Sequence, residues 1–161
     1  MTDFEDRLKE AIERGKVRGQ QVLSEEAKQA ASESQLRNLH SKYRLALNEY
    51  IEKVIRQMID HFPGFRYESV FGDAGWGAAC WRDDIVVDGR TRRSRYSRFE
   101  MAIRPINDFF VLDLQARGTI SNRELFNRGH YQPLGEADIE NFKKQIDAWA
   151  LEFAELYASK S

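Results

Sequence analysis

The chain has 161 residues, 42% of them hydrophobic, and a formal net charge of −1. Its ten phenylalanines, six tyrosines and three tryptophans suffice for one packed core, which argues against a disordered chain. The near-neutral balance gives no overall attraction to nucleic acid or to a membrane surface. Cys80 is the single cysteine, which excludes an internal disulfide and is typical of a reducing compartment. With no apolar signal core at the start and no apolar run near the roughly 20 residues that span a bilayer, we expect a cytoplasmic protein with no membrane segment.

Residues 1–31 have the pattern of a helical arm that packs weakly. Apolar side chains recur there at helical spacing, namely Phe4, Leu8, Ala11 and Ile12. Gly15 and Gly19 predict that the helix ends or loosens, because each glycine costs about 1 kcal/mol relative to alanine in a helix interior. Ser24 then predicts a short turn or helix to about Ala31. Unpartnered apolar groups on such an arm favour association, so we expect a homodimer formed through the N-terminal helices.

A longer helix is predicted to begin near Ser32, where Ser32 and Gln35 form a capping-box pair. Pro63 predicts its end, because proline cannot continue a helix and disfavours helix at the preceding residue. The apolar side chains between these signals form one stripe: Leu36, Leu39, Tyr43, Leu47, Tyr50, Val54 and Met58. Such a stripe can cover a sheet or form a seam with another helix, and its irregular heptad favours the sheet.

The segment 65–120 alternates between apolar and polar residues, which predicts an antiparallel meander with one buried face. Phe99, Met101 and Ile103 share the buried side of one strand. The predicted strands are residues 65–71, 78–87, 95–104 and 109–120. Residues 121–134 are ambiguous between a short helix and a fifth strand, and we favour an irregular strand or a loop.

A final helix carries an apolar stripe, in which Trp149 and Phe153 are the expected core anchors. Acidic residues at its start, among them Glu136 and Glu140, suit the positive end of the helix dipole. The predicted fold class is therefore α+β: a long N-terminal helix, a four- or five-stranded antiparallel meander sheet, and a long C-terminal helix packed on one face. We expect residues 32–161 to form this single domain.

Arginine is unusually concentrated in the predicted sheet. Residues 65–135 contain 11 arginines and no lysine. Five of them fall in a predicted basic hairpin loop at residues 90–98: Arg90, Arg92, Arg93, Arg95 and Arg98. Because the guanidinium fork suits phosphate and carboxylate, this loop is a candidate site for an anion or a partner. Trp76, in a glycine-rich turn predicted at residues 72–77, is a further candidate contact. The alternative is a solvated loop whose arginines pair with some of the 9 acidic residues in the same segment.

The predicted strand register brings two acidic residues together. A four-residue hairpin loop at 105–108 would pair Ile103 with Phe110 and place Glu100 opposite Asp113. Since like charges in that position repel, we expect arginines to offset them in an arginine–carboxylate lattice that includes Arg98 and Arg117. The alternative is that the two acids share a cation or a proton.

The sequence contains no recognisable catalytic constellation. The three histidines have no spacing typical of a metal site, and the glycine-rich turn lacks the lysine that follows a phosphate-binding loop. We therefore expect that the protein is not an enzyme and that it binds no cofactor and no metal. The function we expect is a non-enzymatic intracellular binding or adaptor domain for a protein partner. The alternative is an anion-binding module, for nucleic acid or a phosphorylated ligand, that uses residues 90–98.

Overall fold

The computed structural model describes the backbone of residues 2–160 and all of their side chains except those of residues 2 and 29–31. The elements in order are α1 (Thr2–His61), β1 (Arg66–Val70), β2 (Trp76–Asp88), β3 (Thr91–Ile103), β4 (Val111–Ile120), β5 (Arg123–Pro133), a 3-10 turn (Leu134–Glu136) and α2 (Ile139–Lys160). The five strands form one antiparallel sheet in sequential order. The α+β prediction is confirmed. Among the residues described, no helix is long and apolar enough to cross a membrane.

α1 runs without a break through Gly15, Gly19 and Ser32. The predicted helix end at the glycines, the separate short turn or helix from Ser24 and the new start at Ser32 are therefore wrong. The neighbouring residues are mostly Ala, Glu, Lys, Arg and Gln, which are strong helix formers, so two glycines lower the helical stability without ending the helix. Ser32 lies in the helix interior, where a capping pattern has no free N–H group to cap.

The chain divides into two units, residues 1–38 and residues 39–161. The first unit is the N-terminal part of α1, and its side chains from Asp3 to Lys28 are all exposed. The second unit contains the sheet, α2 and the rest of α1. The oligomerisation role of residues 1–31 stays a prediction.

Within the second unit, both helices pack on the same face of the sheet. Phe153 of α2 stacks on Phe99 of β3 with ring centroids 4.6 Å apart. Arg56 of α1 lies 3.9 Å from the centroid of Tyr67 in β1. Tyr67 and Phe99 both pair with Cys80, so the three share one face. We call this side the helix face and the other side the open face.

The core lies between the helices and the helix face. Its largest fully buried side chains are Phe99, Phe126, Phe142, Phe153, Leu47, Ile51, Ile55, Met101, Ile103, Leu112, Leu114 and Leu134. Trp149 is also buried, so the expected positions of Trp149 and Phe153 in the core are confirmed. The C-terminal helix thus covers the sheet as its apolar stripe predicted.

The β3–β4 register differs from the prediction by four residues. Ile103 pairs with Leu114 rather than Phe110. The connection is longer than a four-residue loop, because the Arg104 N–H still donates to the Asp113 carbonyl at 2.8 Å. Phe110 ends the loop in a positive-φ conformation (φ 51°). Because four is an even number, every side chain keeps its predicted face.

β2 and β3 extend beyond the rest of the sheet. They pair from Trp76–Ile103 to Asp88–Thr91, whereas β1 pairs with β2 only as far as Trp81, and β4 pairs with β3 only from Arg98 onward. Residues 82–97 therefore form a two-stranded ribbon, turning at Gly89 (φ 62°) and Arg90. The prediction of a loop at 90–98 is wrong for residues 91–98, which are strand.

The ambiguous segment 121–134 is resolved as a strand with one irregularity. β5 pairs with β4 along its length, with a register shift between Gly118 and Thr119. Phe126 points into the core from this strand. The irregular strand is confirmed, and the loop and the short helix are wrong for residues 123–133.

Candidate binding sites on the ribbon

Strand alternation divides the predicted arginines between two faces of the ribbon. Arg93 and Arg95 lie on the helix face, in line with Phe99. Arg92 and Arg98 lie on the open face, and Arg90 lies in the turn. The five candidates therefore do not form one site, because a strand presents successive side chains to opposite sides whereas a loop could have gathered them.

Arg98 belongs to a salt-bridge lattice on the open face. Its guanidinium donates to Glu68 Oε2 at 2.5 Å and to Glu100 Oε2 at 3.0 Å. Burial alone would lower the pKa of Arg98, but the hydrogen bonds to Glu68 and Glu100 raise it above the ordinary arginine value. Arg117 stands directly opposite Glu100 and donates to Glu124 at 3.1 Å. Arg98 is thus a structural residue rather than a free anion site.

This lattice differs from the one predicted. Glu100 pairs with Arg117, and Asp113 pairs with Tyr131 across β4 and β5. The predicted opposition of Glu100 and Asp113 is therefore wrong, and so is a cation or proton shared between them. The arginine–carboxylate pairing itself is present, with a favourable cross-strand partner for Glu100 in place of a repulsive one.

Trp76 lies away from the ribbon. It opens β2 at the opposite end of that strand and pairs with Ile103 on the helix face. The Arg44 guanidinium of α1 covers its ring at 4.1 Å from the centroid. The prediction of Trp76 in the glycine-rich turn is therefore wrong, and its indole belongs to the packing of α1 on the sheet.

A groove of about 540 Å³ runs beside the helix face of the ribbon. Four cationic side chains line it, namely Arg93 and Arg95 of β3, Arg123 of β5 and Lys160 of α2. Val86, Ile120 and Leu125 provide apolar walls, and Asp88 is the one carboxylate among the lining residues. We call this feature the basic groove.

The cations of the basic groove form no ion pair with any residue that the structure describes. Asp84 pairs with Arg95 across the strands but is bound instead by Arg82, whose Nε lies 2.7 Å from its Oδ1. Arg82 also donates to the Pro63 carbonyl at 2.6 Å, which fixes this arrangement. Arg95 is left without a carboxylate, and the groove is electropositive.

Asn122 holds one wall of the basic groove in place. Its backbone N–H donates to the Tyr96 carbonyl at 2.8 Å, and its Oδ1 accepts from the Tyr96 N–H at 2.9 Å. Its Nδ2 donates to the Ser94 carbonyl at 2.6 Å. The residue has a positive φ of 70°, which asparagine tolerates better than most residues. The β4–β5 turn is thereby fixed against the ribbon, and Arg123 is positioned over the groove.

Sequence reasoning missed Arg123, Lys160 and Asn122. The Ser121–Asn122 pair was a turn signal, because short polar side chains bond to nearby backbone. No sequence signal connects Lys160 to Arg93, since the last turn of α2 meets the ribbon only through the fold. Two of the four groove cations, Arg123 and Lys160, lie outside the 90–98 segment, because they come from β5 and α2.

The open face of the ribbon carries exposed apolar side chains. Ile85 and Val87 are 69% and 64% exposed. Val87 stands opposite Arg92, and Ile85 stands opposite Ser94. We call Ile85, Val87 and Arg92 the open-face patch.

Among the residues that the structure describes, the remaining reactive side chains do not form a site. Cys80 is buried, and desolvation raises the pKa of its thiol to about 12, so it stays protonated and unreactive. No cluster of His, Cys, Asp and Glu that could hold a metal occurs in the part of the chain that the structure describes. His40 is buried, and His130 contacts Asn141 at 2.9 Å and Phe142.

Comparison of the chain with protein-family models, with curated proteins and with solved structures finds no match. We therefore infer its function from the geometry of the ribbon and of α1.

Proposed function

We propose that the protein is a non-enzymatic binding domain that engages an acidic protein partner through the open-face patch. The observation that carries this proposal is the pair of exposed apolar side chains, Ile85 and Val87, beside Arg92, which forms no ion pair among the described residues. An apolar surface beside an arginine is complementary to a partner whose apolar side chains lie next to a carboxylate.

The extended shape of the ribbon supports the same proposal. A two-stranded hairpin is marginally stable by itself in water. The ribbon gains support from Asn122 on one edge, but its Ile85 and Val87 are 69% and 64% exposed and contribute little burial in the single chain. Contact with a partner would bury both and stabilise the ribbon.

Self-association is the second part of the proposal. Between residues 3 and 28 of α1, six large apolar side chains are between 46% and 68% exposed: Phe4, Leu8, Ile12, Val17, Val22 and Leu23. At about 100° per residue, all of these except Val17 fall on one stripe, and Gly15 and Gly19 fall in its middle. A helix with every side chain exposed receives no packing support from its own chain, and helical propensity alone gives marginal stability.

A second copy of the same helix fits this stripe. In an antiparallel pair centred between Glu13 and Arg14, Leu8 of one copy stands opposite Gly19 of the other, and Ile12 stands opposite Gly15. Large side chains then meet the positions without side chains, and no heavy atom lies within 4 Å of the place where a Cβ would stand on either glycine. We propose an antiparallel helix pair as the dimer interface.

Affinity capture with matched variants tests the partner proposal. The full chain, Ile85→Ser/Val87→Ser and Leu151→Ser are used as baits in a lysate of the source cells. Leu151 is the control, because it is an equally exposed apolar residue, 70% accessible, on α2. We expect a protein that the wild type and L151S retain and that the double variant loses.

The charge of the partner is tested with Arg92→Glu. Reversal of this charge weakens capture of the same protein if that protein presents carboxylates to the patch. A capture pattern that is identical for wild type and the double variant would contradict the proposal, as would tighter capture by R92E.

A further inference from the structure

We infer that the basic groove is a binding site for a small molecule that carries a diphosphate group. This site lies on the helix face of the ribbon, whereas the proposed protein contact lies on the open face. The inference therefore goes beyond the proposed function and uses different side chains.

The charge of the groove fits two linked phosphates. Four cations line it against the single carboxylate of Asp88, so its net charge is 4 − 1 = +3. A phosphate monoester carries about −1.5 to −2 near neutral pH and would leave the groove positive, whereas a second, linked phosphate adds further negative charge and brings the ligand closer to balance. The C-terminal end of α2 adds a partial negative charge of about −0.5, which leaves the groove positive.

The placement of the cations favours a divided anion. Arg93 and Arg95 are two residues apart on β3, which separates their Cα atoms by roughly 6.6 Å. Arg123 and Lys160 approach from β5 and α2. A diphosphate offers more oxygens over a longer span than a single phosphate does, which suits cations presented from three elements. Arginine adds bidentate hydrogen bonds that match phosphate geometry.

The rest of the ligand is indicated by a small cleft next to the groove. This cleft, of about 70 Å³, shares Arg95 and Lys160 with the basic groove and adds Asp84, Ser97 and Tyr157. Hydroxyl and carboxylate oxygens of this kind accept hydrogen bonds from hydroxyl groups. Together with the apolar walls of the groove, they fit a small hydroxylated body attached to the diphosphate. The groove volume of about 540 Å³ is also that of a small-molecule site.

Calorimetric titration of the full chain with inorganic pyrophosphate tests the inference. We expect one site per chain and binding about tenfold tighter than that of inorganic phosphate, because a second phosphate adds charge-assisted hydrogen bonds. Arg123→Gln/Lys160→Gln should weaken pyrophosphate binding by about tenfold or more. Arg90→Gln/Arg92→Gln is the matched control, since it also removes two cations but not from the groove, and its affinity should stay within about twofold of wild type.

Three outcomes would overturn the inference: no pyrophosphate binding by the wild type, an equal loss in both double variants, or tighter binding of a single-stranded oligonucleotide than of pyrophosphate. The last outcome would identify an extended polyanion surface instead. Arg123 and Lys160 are exposed and form no ion pair among the described residues, so both variants should melt like wild type in circular dichroism.

Discussion

His40 connects the stability of the protein to pH through one side chain. It is 3% exposed, and its Nε2 has no hydrogen-bond partner among the described residues. Burial lowers the pKa of His40 because the imidazolium form loses its hydration. A hydrogen bond with the Arg104 backbone acts in the opposite direction, and the charge of Arg44 adds to the lowering. The native state therefore favours the neutral ring.

The sign of the pH effect follows from this lowered pKa. The unfolded chain binds a proton on His40 near pH 6.5, whereas the folded chain binds it only at lower pH. We expect the contribution of His40 to the free energy of unfolding to be complete above pH 6.5. The free energy of unfolding should fall as the pH drops below that value. His40→Gln should flatten this slope in urea unfolding between pH 7.5 and 5.5.

His61→Gln is the control, because it removes a histidine that is exposed and leaves the buried His40 in place. We expect this variant to keep the wild-type slope. Equal slopes in the wild type and H40Q would show that His40 is not the group responsible.

At the scale of elements, Gly118 sets how closely α2 approaches β4. A Cβ at this position would stand 2.9 Å from Cδ2 of Phe153 and 2.9 Å from Cβ of Phe126. Neither neighbour can move freely, because both rings are buried in the core. Gly118→Ala should therefore lower the free energy of unfolding by about 1–3 kcal/mol, as overpacking does.

Gly129 on the adjacent strand β5 provides the comparison. A Cβ there meets no heavy atom within 4 Å. Gly129→Ala should leave stability unchanged or raise it by up to about 1 kcal/mol, because alanine restricts the unfolded chain. Urea unfolding of both variants measures the difference, and equal stabilities would show that α2 does not rest directly on Gly118.

The faces of the strands could be predicted from the sequence, but their pairing could not. Alternation placed Phe99, Met101 and Ile103 in the core correctly. The register depends on loop length, and the Arg104–Asp113 hydrogen bond makes the β3–β4 loop longer than Pro105 suggested. An error of four residues leaves the alternation unchanged, so no sequence pattern could reveal it.

The candidate sites were harder to predict than the fold. The arginine excess was visible in the sequence, but whether Arg90 to Arg98 form a loop or a strand decides which of them act together. Thr91 and Tyr96 are good strand residues, and their pairing with β2 outweighs the polar character of the segment. Arg123 and Lys160 join the groove only through the fold, at sequence distances that no local pattern covers.

At the scale of the whole molecule, the continuous α1 gives Gly15 and Gly19 a role in helix packing. They no longer mark an end but lie in an apolar stripe with Leu8 and Ile12. We expect the full chain to sediment as a dimer at micromolar concentration. Leu8→Lys/Ile12→Lys should sediment as a monomer and lose helical signal in circular dichroism, because charged side chains in the stripe oppose close packing of two helices.

Val17→Lys is the control for this experiment. Val17 is similarly exposed but lies on the side of the helix opposite Leu8, so its replacement should leave the dimer intact. A monomeric wild type at high concentration would end the dimer proposal.

The three hydrogen bonds of Asn122 also decide where this sheet can grow. They occupy backbone groups of Ser94 and Tyr96 on the edge of β3 that faces away from β2. Exposed strand edges are templates for pairing with strands of other chains. On the β3 edge of the ribbon, Asn122 thus makes the backbone hydrogen bonds that a neighbouring strand would otherwise make. No described strand pairs with residues 82–88 of β2 on their outer edge, because β1 stops pairing at Trp81. A strand of another chain that added to the ribbon would therefore pair with the β2 edge, in line with β1, rather than with the interrupted β3 edge.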